Sequence, residues 1–204
     1  MKWYIFLIAN ILLLCLFNTQ AQQLSNEELI QQKIFTSLEE ALREPDKVYR
    51  LILKKLKKID SLPDEIFLLK NLQELTVTKS KLQIINKNID QLIFLQYLNV
   101  DHNRLVSLPD ELTSLLHLKK LIISRNLIYK LPETIGNMTA LREIVAWGNE
   151  LYNLPESITM LAKTLQILDL RQINFRKSEI EKIEKQLPYT EILYTNLCDC
   201  HDKR

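Results

Sequence analysis

Leu95-Gln-Tyr-Leu98-Asn-Val100-Asp-His-Asn103-Arg-Leu105-Val-Ser-Leu108-Pro109 is a phrase that this chain writes three times. After 23 residues, Leu118, Leu121, Ile123, Asn126, Ile128, Leu131 and Pro132 take the same places. Another 23 residues on come Leu141, Ile144, Ala146, Asn149, Leu151, Leu154 and Pro155. Seven positions held in register across three copies define a structural repeat. A fixed period of about 20 to 29 residues carrying LxxLxLxxNxL marks a solenoid built of one strand and one return per coil.

The pattern weakens outward from this centre but keeps its register. The copy before it runs through Leu72, Leu75, Val77, Leu82, Ile85, Ile89 and Leu92, with Ser80 in the Asn place and Asn86 in the Pro place. A first copy of 24 residues begins near Val48, carries Leu51 and Leu53, and puts Leu56 where Asn is expected. Downstream, the fifth copy gains a residue around Ala162-Lys163-Thr164, and a sixth strand follows at Leu165, Leu168 and Leu170.

These residues resemble the leucine-rich repeat family, in its LPxxLxxLxx subtype, over about residues 48–175. The resemblance implies an α/β solenoid with a curved parallel β-sheet on the concave face and short turns or helical pieces on the convex face. Stacked repeats expose an apolar coil at each end unless something covers it. Residues 22–47 are expected to be a helical N-terminal cap. Ser25-x-x-Glu28 and Thr36-x-x-Glu39 form capping-box patterns there, with Leu29, Ile30, Ile34, Phe35, Leu38, Ala41 and Leu42 on one face and Pro45 as the stop. Residues 176–204 are expected to hold a second cap: a helix over Ser178 to Leu187, then a last strand over Thr190 to Tyr194.

The start of the chain reads as an export signal. Met1-Lys2 precedes an apolar run from Trp3 to Phe17, which is short for a spanning helix of roughly 20 residues. Thr19-Gln20-Ala21 places cleavage after Ala21, so residues 1–21 form the signal segment. Removing it leaves 26 basic against 25 acidic side chains. That balance does not point to nucleic acid or an anionic membrane as the main partner.

A search for chemistry returns little. Two glycines rule out a Gly-rich phosphate loop, and no nucleophile-elbow, zincin, Walker or Rossmann fingerprint is present. His102, His117 and His201 stand in no metal spacing with one another. Cys198-Asp199-Cys200-His201 is the one metal-like cluster, and it lacks the second half that a zinc site needs. No catalytic residue, cofactor or metal is assigned. Asn103, Asn126 and Asn149 are expected to point inward and satisfy backbone groups at the turn.

The strand positions between the leucines are free of that duty. They should face outward as columns, one being Lys54, Thr78, Asp101, Ser124, Trp147 and Arg171 and the next Lys55, Lys79, His102, Arg125, Gly148 and Gln172. Trp, Tyr and Arg are enriched at interface hot spots. The expected partner-binding site is therefore Tyr97, Asp101, His102, Ser124, Arg125, Val145, Trp147 and Arg171, centred on Trp147. Lys54, Lys55, Lys57, Lys58, Lys79 and Lys81 form a basic edge beside it, and Tyr129 and Tyr152 should stack in one turn column. The chain is similar to small exported bacterial leucine-rich repeat proteins, which implies a periplasmic, surface or secreted protein-binding module with a protein partner. A structural or assembly role and glycan binding are the alternatives.

Overall fold

The computed structural model describes residues 22–57 and 59–195. The expected signal segment, residues 1–21, and the Cys198-Asp199-Cys200-His201 cluster lie outside the described residues. Eight strands form a single sheet: β1 (Ile34–Phe35), β2 (Arg50–Lys54), β3 (Glu74–Thr78), β4 (Tyr97–Asn99), β5 (Lys120–Ile122), β6 (Glu143–Val145), β7 (Ile167–Asp169) and β8 (Glu191–Leu193). They follow one another in chain order, every neighbouring pair parallel. Equivalent leucines face each other across the pairs: Leu51 with Leu75, Leu75 with Leu98, Leu98 with Leu121, Leu121 with Ile144, and Ile144 with Leu168. The fold is thus an open α/β leucine-rich solenoid, with one continuous core running from Phe35 to Leu187.

Each return segment is a 3-10 turn, and its cause is local. In five coils the third residue after the Pro position donates back to it: Ile66 to Pro63, Ile89 to Asn86, Leu112 to Pro109, Ile135 to Pro132 and Ile158 to Pro155. Proline pre-sets the φ this entry needs, and Pro63, Pro109 and Pro155 adopt −58°, −70° and −66°. Asn86 reaches −63° without a ring, and its side-chain oxygen accepts from the Asn88 N–H at 3.1 Å to hold the turn. With i→i+3 bonding the return stays short, as the repeat spacing requires.

The N-terminal cap, expected to be helical, is helical only in part. A short helix, Asn26–Ile30, is closed by the Ser25/Glu28 capping box; β1 follows, then a second short helix, Leu38–Ala41. Ser37, not Thr36, caps that second helix, by accepting from the Glu40 N–H. Pro45 opens a 3-10 turn, Pro45–Lys47, instead of ending a helix. The physical reason is the free edge of β2, whose unpaired backbone groups recruit Ile34 and Phe35 as a strand. Ile30 and Ile34 are consequently exposed while Leu29, Phe35 and Ala41 are buried.

Two glutamines tie the first residues down. The Leu24 N–H donates to Gln73 Oε1 at 2.9 Å, Gln73 Nε2 donates to the Gln22 carbonyl at 2.8 Å, and Gln96 Nε2 donates to the Leu24 carbonyl at 2.8 Å. Lys119 Nζ then meets Asn26 Oδ1 at 2.9 Å. The strap so formed crosses the starting ends of β3, β4 and β5. At the other end, the helix Lys177–Gln186 buries Ile180 and Ile183, and Leu187 is buried just beyond it. The Glu179 carboxylate accepts from the Arg176 N–H at 2.6 Å. β8 then pairs with β7, as expected of the last strand.

Candidate functional site

The asparagines form an inward ladder. Asn126 Nδ2 donates to the carbonyls of Val100, Ile123 and Ser124 at 2.9–3.0 Å, and its Oδ1 accepts from the Leu105 N–H at 3.0 Å. Asn103 and Asn149 repeat the pattern one coil earlier and later. Ser80 does a smaller version, accepting from the Leu56 N–H and donating to the Thr78 carbonyl. This ladder fixes where the strand side chains on the other, solvent-facing side of the sheet stand.

On that side the register builds columns. Arg50, Glu74, Tyr97, Lys120, Glu143 and Ile167 lie in one, and Ile52, Thr76, Asn99, Ile122, Val145 and Asp169 in the next. At the last residues of β2 and β3 and just past the ends of the later strands follow Lys54, Thr78, Asp101, Ser124, Trp147 and Arg171. Trp147 is half-buried there, and the Arg125 guanidinium lies over its ring, 4.8 Å from the centroid. Arg125 also grips Asp101 with two bonds, Nε to Oδ1 at 3.0 Å and Nη2 to Oδ2 at 2.7 Å. Three side chains from three successive coils thus make one cluster. A forked guanidinium–carboxylate pair fixes geometry as well as charge, and the Asp101 hydrogen bonds hold the Arg125 guanidinium above its usual pKa. One coil on, Arg171 makes the same two-bond contact with Asp169.

Not all of the expected site residues reach this cluster. Val145 is half-buried two residues before Trp147, and His102 and Arg171 are exposed beside it. Ser124 is only 1% exposed, and its hydroxyl donates to the Val145 carbonyl at 3.2 Å. It is shaded because it sits in the row between Asp101 and Trp147, the two groups that Arg125 spans; it offers a partner no surface. Tyr97 is half-buried at the opposite end of its strand, about 13 Å along from Asp101 by strand rise. Burial, with Glu143, Glu74 and Glu27 adding to it, pushes its phenol above the usual range, so it stays a hydrogen-bond donor. Asp169 is a buried participant outside the expected site; its signal is an acid two residues before an arginine on one strand face.

The column Lys55, Lys79, His102, Arg125, Gly148 and Gln172 has a property that its side chains hide. All six adopt left-handed backbone, with φ between 50° and 67°. Five of their N–H groups donate to carbonyls of the next coil, and that of Gln172 donates to Thr195 Oγ1. The turn that aims Arg125 at Trp147 is therefore bought against backbone preference. A Cβ at Gly148 would meet nothing closer than 3.6 Å, so only its φ of +67° resists a side chain. Gly148→Ala is expected to lose about 1 kcal/mol and to lower the melting temperature by about 2–4 °C; thermal unfolding by circular dichroism checks this.

Among the described residues no helix is long and apolar enough to cross a membrane, and no group of three or more His, Cys, Asp or Glu could hold a metal ion. Residues 93–151 match the leucine rich repeat family. No curated protein sequence matches the chain. Among solved structures it is similar to the LRR protein LIC12759 of Leptospira interrogans, at 29% identity and a TM-score of 0.62, over 82% of this chain and 49% of that one. It is also similar to the leucine-rich repeat domain of the type III effector XopL, at 25% identity and a TM-score of 0.60, over 76% of this chain and 54% of that one. The chain spans about half the length of both.

Proposed function

We propose that this leucine-rich repeat protein is an exported, non-enzymatic recognition module that holds a protein partner on the concave, solvent-facing side of its sheet. Repeat proteins of this family are commonly protein binders. The observation that carries the reading is the Asp101–Arg125–Trp147 cluster. A large aromatic stands on the strand face, held by an arginine that is itself fixed by a carboxylate. Such a preformed surface limits the ordering that association requires. Export is proposed on residues 1–21, whose layout is that of a signal segment.

A central aromatic in an interface contributes about 2 kcal/mol or more on truncation, roughly thirtyfold in affinity. Trp147→Ala is expected to weaken capture of the partner by that factor while shifting the melting temperature by less than about 2 °C. Glu133→Ala, on a return segment, should do neither. Unfolding of the Trp147 variant would make the ring a packing residue, and undiminished capture would move the site off this cluster. N-terminal sequencing of the protein from its native source is expected to begin at Gln22 and from outside the cytoplasm; a cytosolic protein that keeps Met1 contradicts export.

A further inference from the structure

Along the sheet, four cations each meet an acid: Arg50 with Glu74, Lys120 with Glu143, Arg125 with Asp101 and Arg171 with Asp169. Lys54, Lys55, Lys57, Lys79, Lys81 and Arg104 are different. All six are exposed, and none makes an ion pair among the described residues. The carboxylate of Asp101, in the coil next to Lys79, is held by Arg125 and not by these lysines.

Their placement is regular. The Lys55 N–H reaches the Thr78 carbonyl and the Lys79 N–H the Asp101 carbonyl, so these two lysines are neighbours in adjacent coils. The Leu56 N–H bonds Ser80 Oγ, and the Ser80 N–H bonds Asn103 Oδ1. Lys57, Lys81 and Arg104, each the next residue after Leu56, Ser80 and Asn103, therefore form a second row. Neighbouring coils are about 4.8 Å apart, so both rows present cations at that interval along the solenoid axis. Lys55, Lys79 and Lys81 stand at φ of 54°, 55° and 62°, where a side chain adds nothing to the turn.

The surroundings narrow the ligand. None of the large exposed apolar side chains lies in either row, whereas protein interfaces are anchored by apolar or aromatic groups. Neither row holds an aromatic ring, whereas single-stranded nucleic acid is bound on stacking platforms. Lysine is a hydrated point charge on a flexible stem, suited to anionic groups spaced along a chain and not to one planar group. We propose that these two rows are a docking strip for a linear acidic polysaccharide, lying across the coils with its carboxylate or sulfate groups against successive lysines. This strip is distinct from the Trp147 cluster and binds independently of it.

Polygalacturonate and dextran sulfate, with neutral dextran as the blank, are the probes for the intact protein. Both acidic polymers should bind, more weakly as salt rises, and neutral dextran should not. Reversing three charges in the strip, Lys55→Glu, Lys79→Glu and Lys81→Glu together, should weaken binding at least about eightfold, taking each lost contact as no less than a factor of two. Reversing three exposed lysines elsewhere, Lys163, Lys177 and Lys182, makes the same change in net charge and should leave binding intact, as should Trp147→Ala. Should the reversed strip fail to fold, the neutral pair Lys79→Gln and Lys81→Gln carries the same test. Equal weakening by the distant reversal, or no binding of either acidic polymer, overturns the strip. Tighter binding of length-matched poly-L-glutamate than of polygalacturonate overturns the saccharide.

Discussion

Asn126→Leu is expected to lower the melting temperature by about 6–12 °C, which for a domain of this size corresponds to about 3 kcal/mol. The size follows from what the amide holds. Val100 and Ile123 keep one donor each after the change, because Asn103 also reaches the first and Asn149 the second. Ser124 keeps the His102 N–H. The Leu105 N–H keeps nothing, having had only Asn126 Oδ1. An orphaned buried donor costs about 1–3 kcal/mol, and each further bond lost about 1 kcal/mol. Ser80→Ala removes a single acceptor from the Leu56 N–H and should lower stability by only about 1 kcal/mol. Urea titration of both variants checks the ranking, and equal midpoints would contradict the ladder.

Gly136→Ala should do as much damage for a different reason. A Cβ there would sit 2.2 Å from the Ser157 carbonyl oxygen and 3.0 Å from Met160 Cβ. Ser157 lies in the following 3-10 turn, Glu156–Leu161, so the added methyl presses coil against coil and not against a mobile side chain. Overpacking usually costs about 1–3 kcal/mol, and backbone as the obstacle puts this case at about 3 kcal/mol. The comparison with Gly148→Ala separates two uses of glycine: one is needed for space, the other for φ. A melting temperature for Gly136→Ala within about 2 °C of the parent would mean that the turns are not stacked this closely.

Much of the scaffold was readable from residues, because a solenoid repeats its instructions. The strand register and the inward asparagines follow from leucine spacing that recurs coil after coil. Where nothing recurs, the reading loses its footing. Leu29 to Leu42 is a single amphipathic stretch with no copy elsewhere, and its short apolar step Ile34-Phe35 suits helix and strand alike; the free edge of β2 decided, through tertiary pairing. The left-handed column was masked because five of its six members are not glycine. Gly148 alone carried the hint. Gln73 and Gln96 look like surface residues, yet both are fully buried beneath the N-terminal strap.

The candidate site shows the same division. Alternation along the strands sufficed to place Asp101, Arg125 and Trp147 on one face. It could not foresee that Arg125 would bend back to Asp101 or that Ser124 would be left buried, because that depends on side-chain lengths in neighbouring coils. Nor could it detect that burial, with Glu143, Glu74 and Glu27 adding to it, raises the pKa of the Tyr97 phenol.

The recognition claim is tested most directly by photo-crosslinking to the captured partner. A photoreactive amino acid is placed singly at His102 and Arg171 on the sheet side and at Leu116 and Met160 on the return side, all four exposed positions. The partner is expected to crosslink from His102 and Arg171 and not from Leu116 or Met160, and Trp147→Ala to weaken the crosslink at both in step with its roughly thirtyfold loss of affinity. Crosslinks formed from Leu116 or Met160 alone would contradict it.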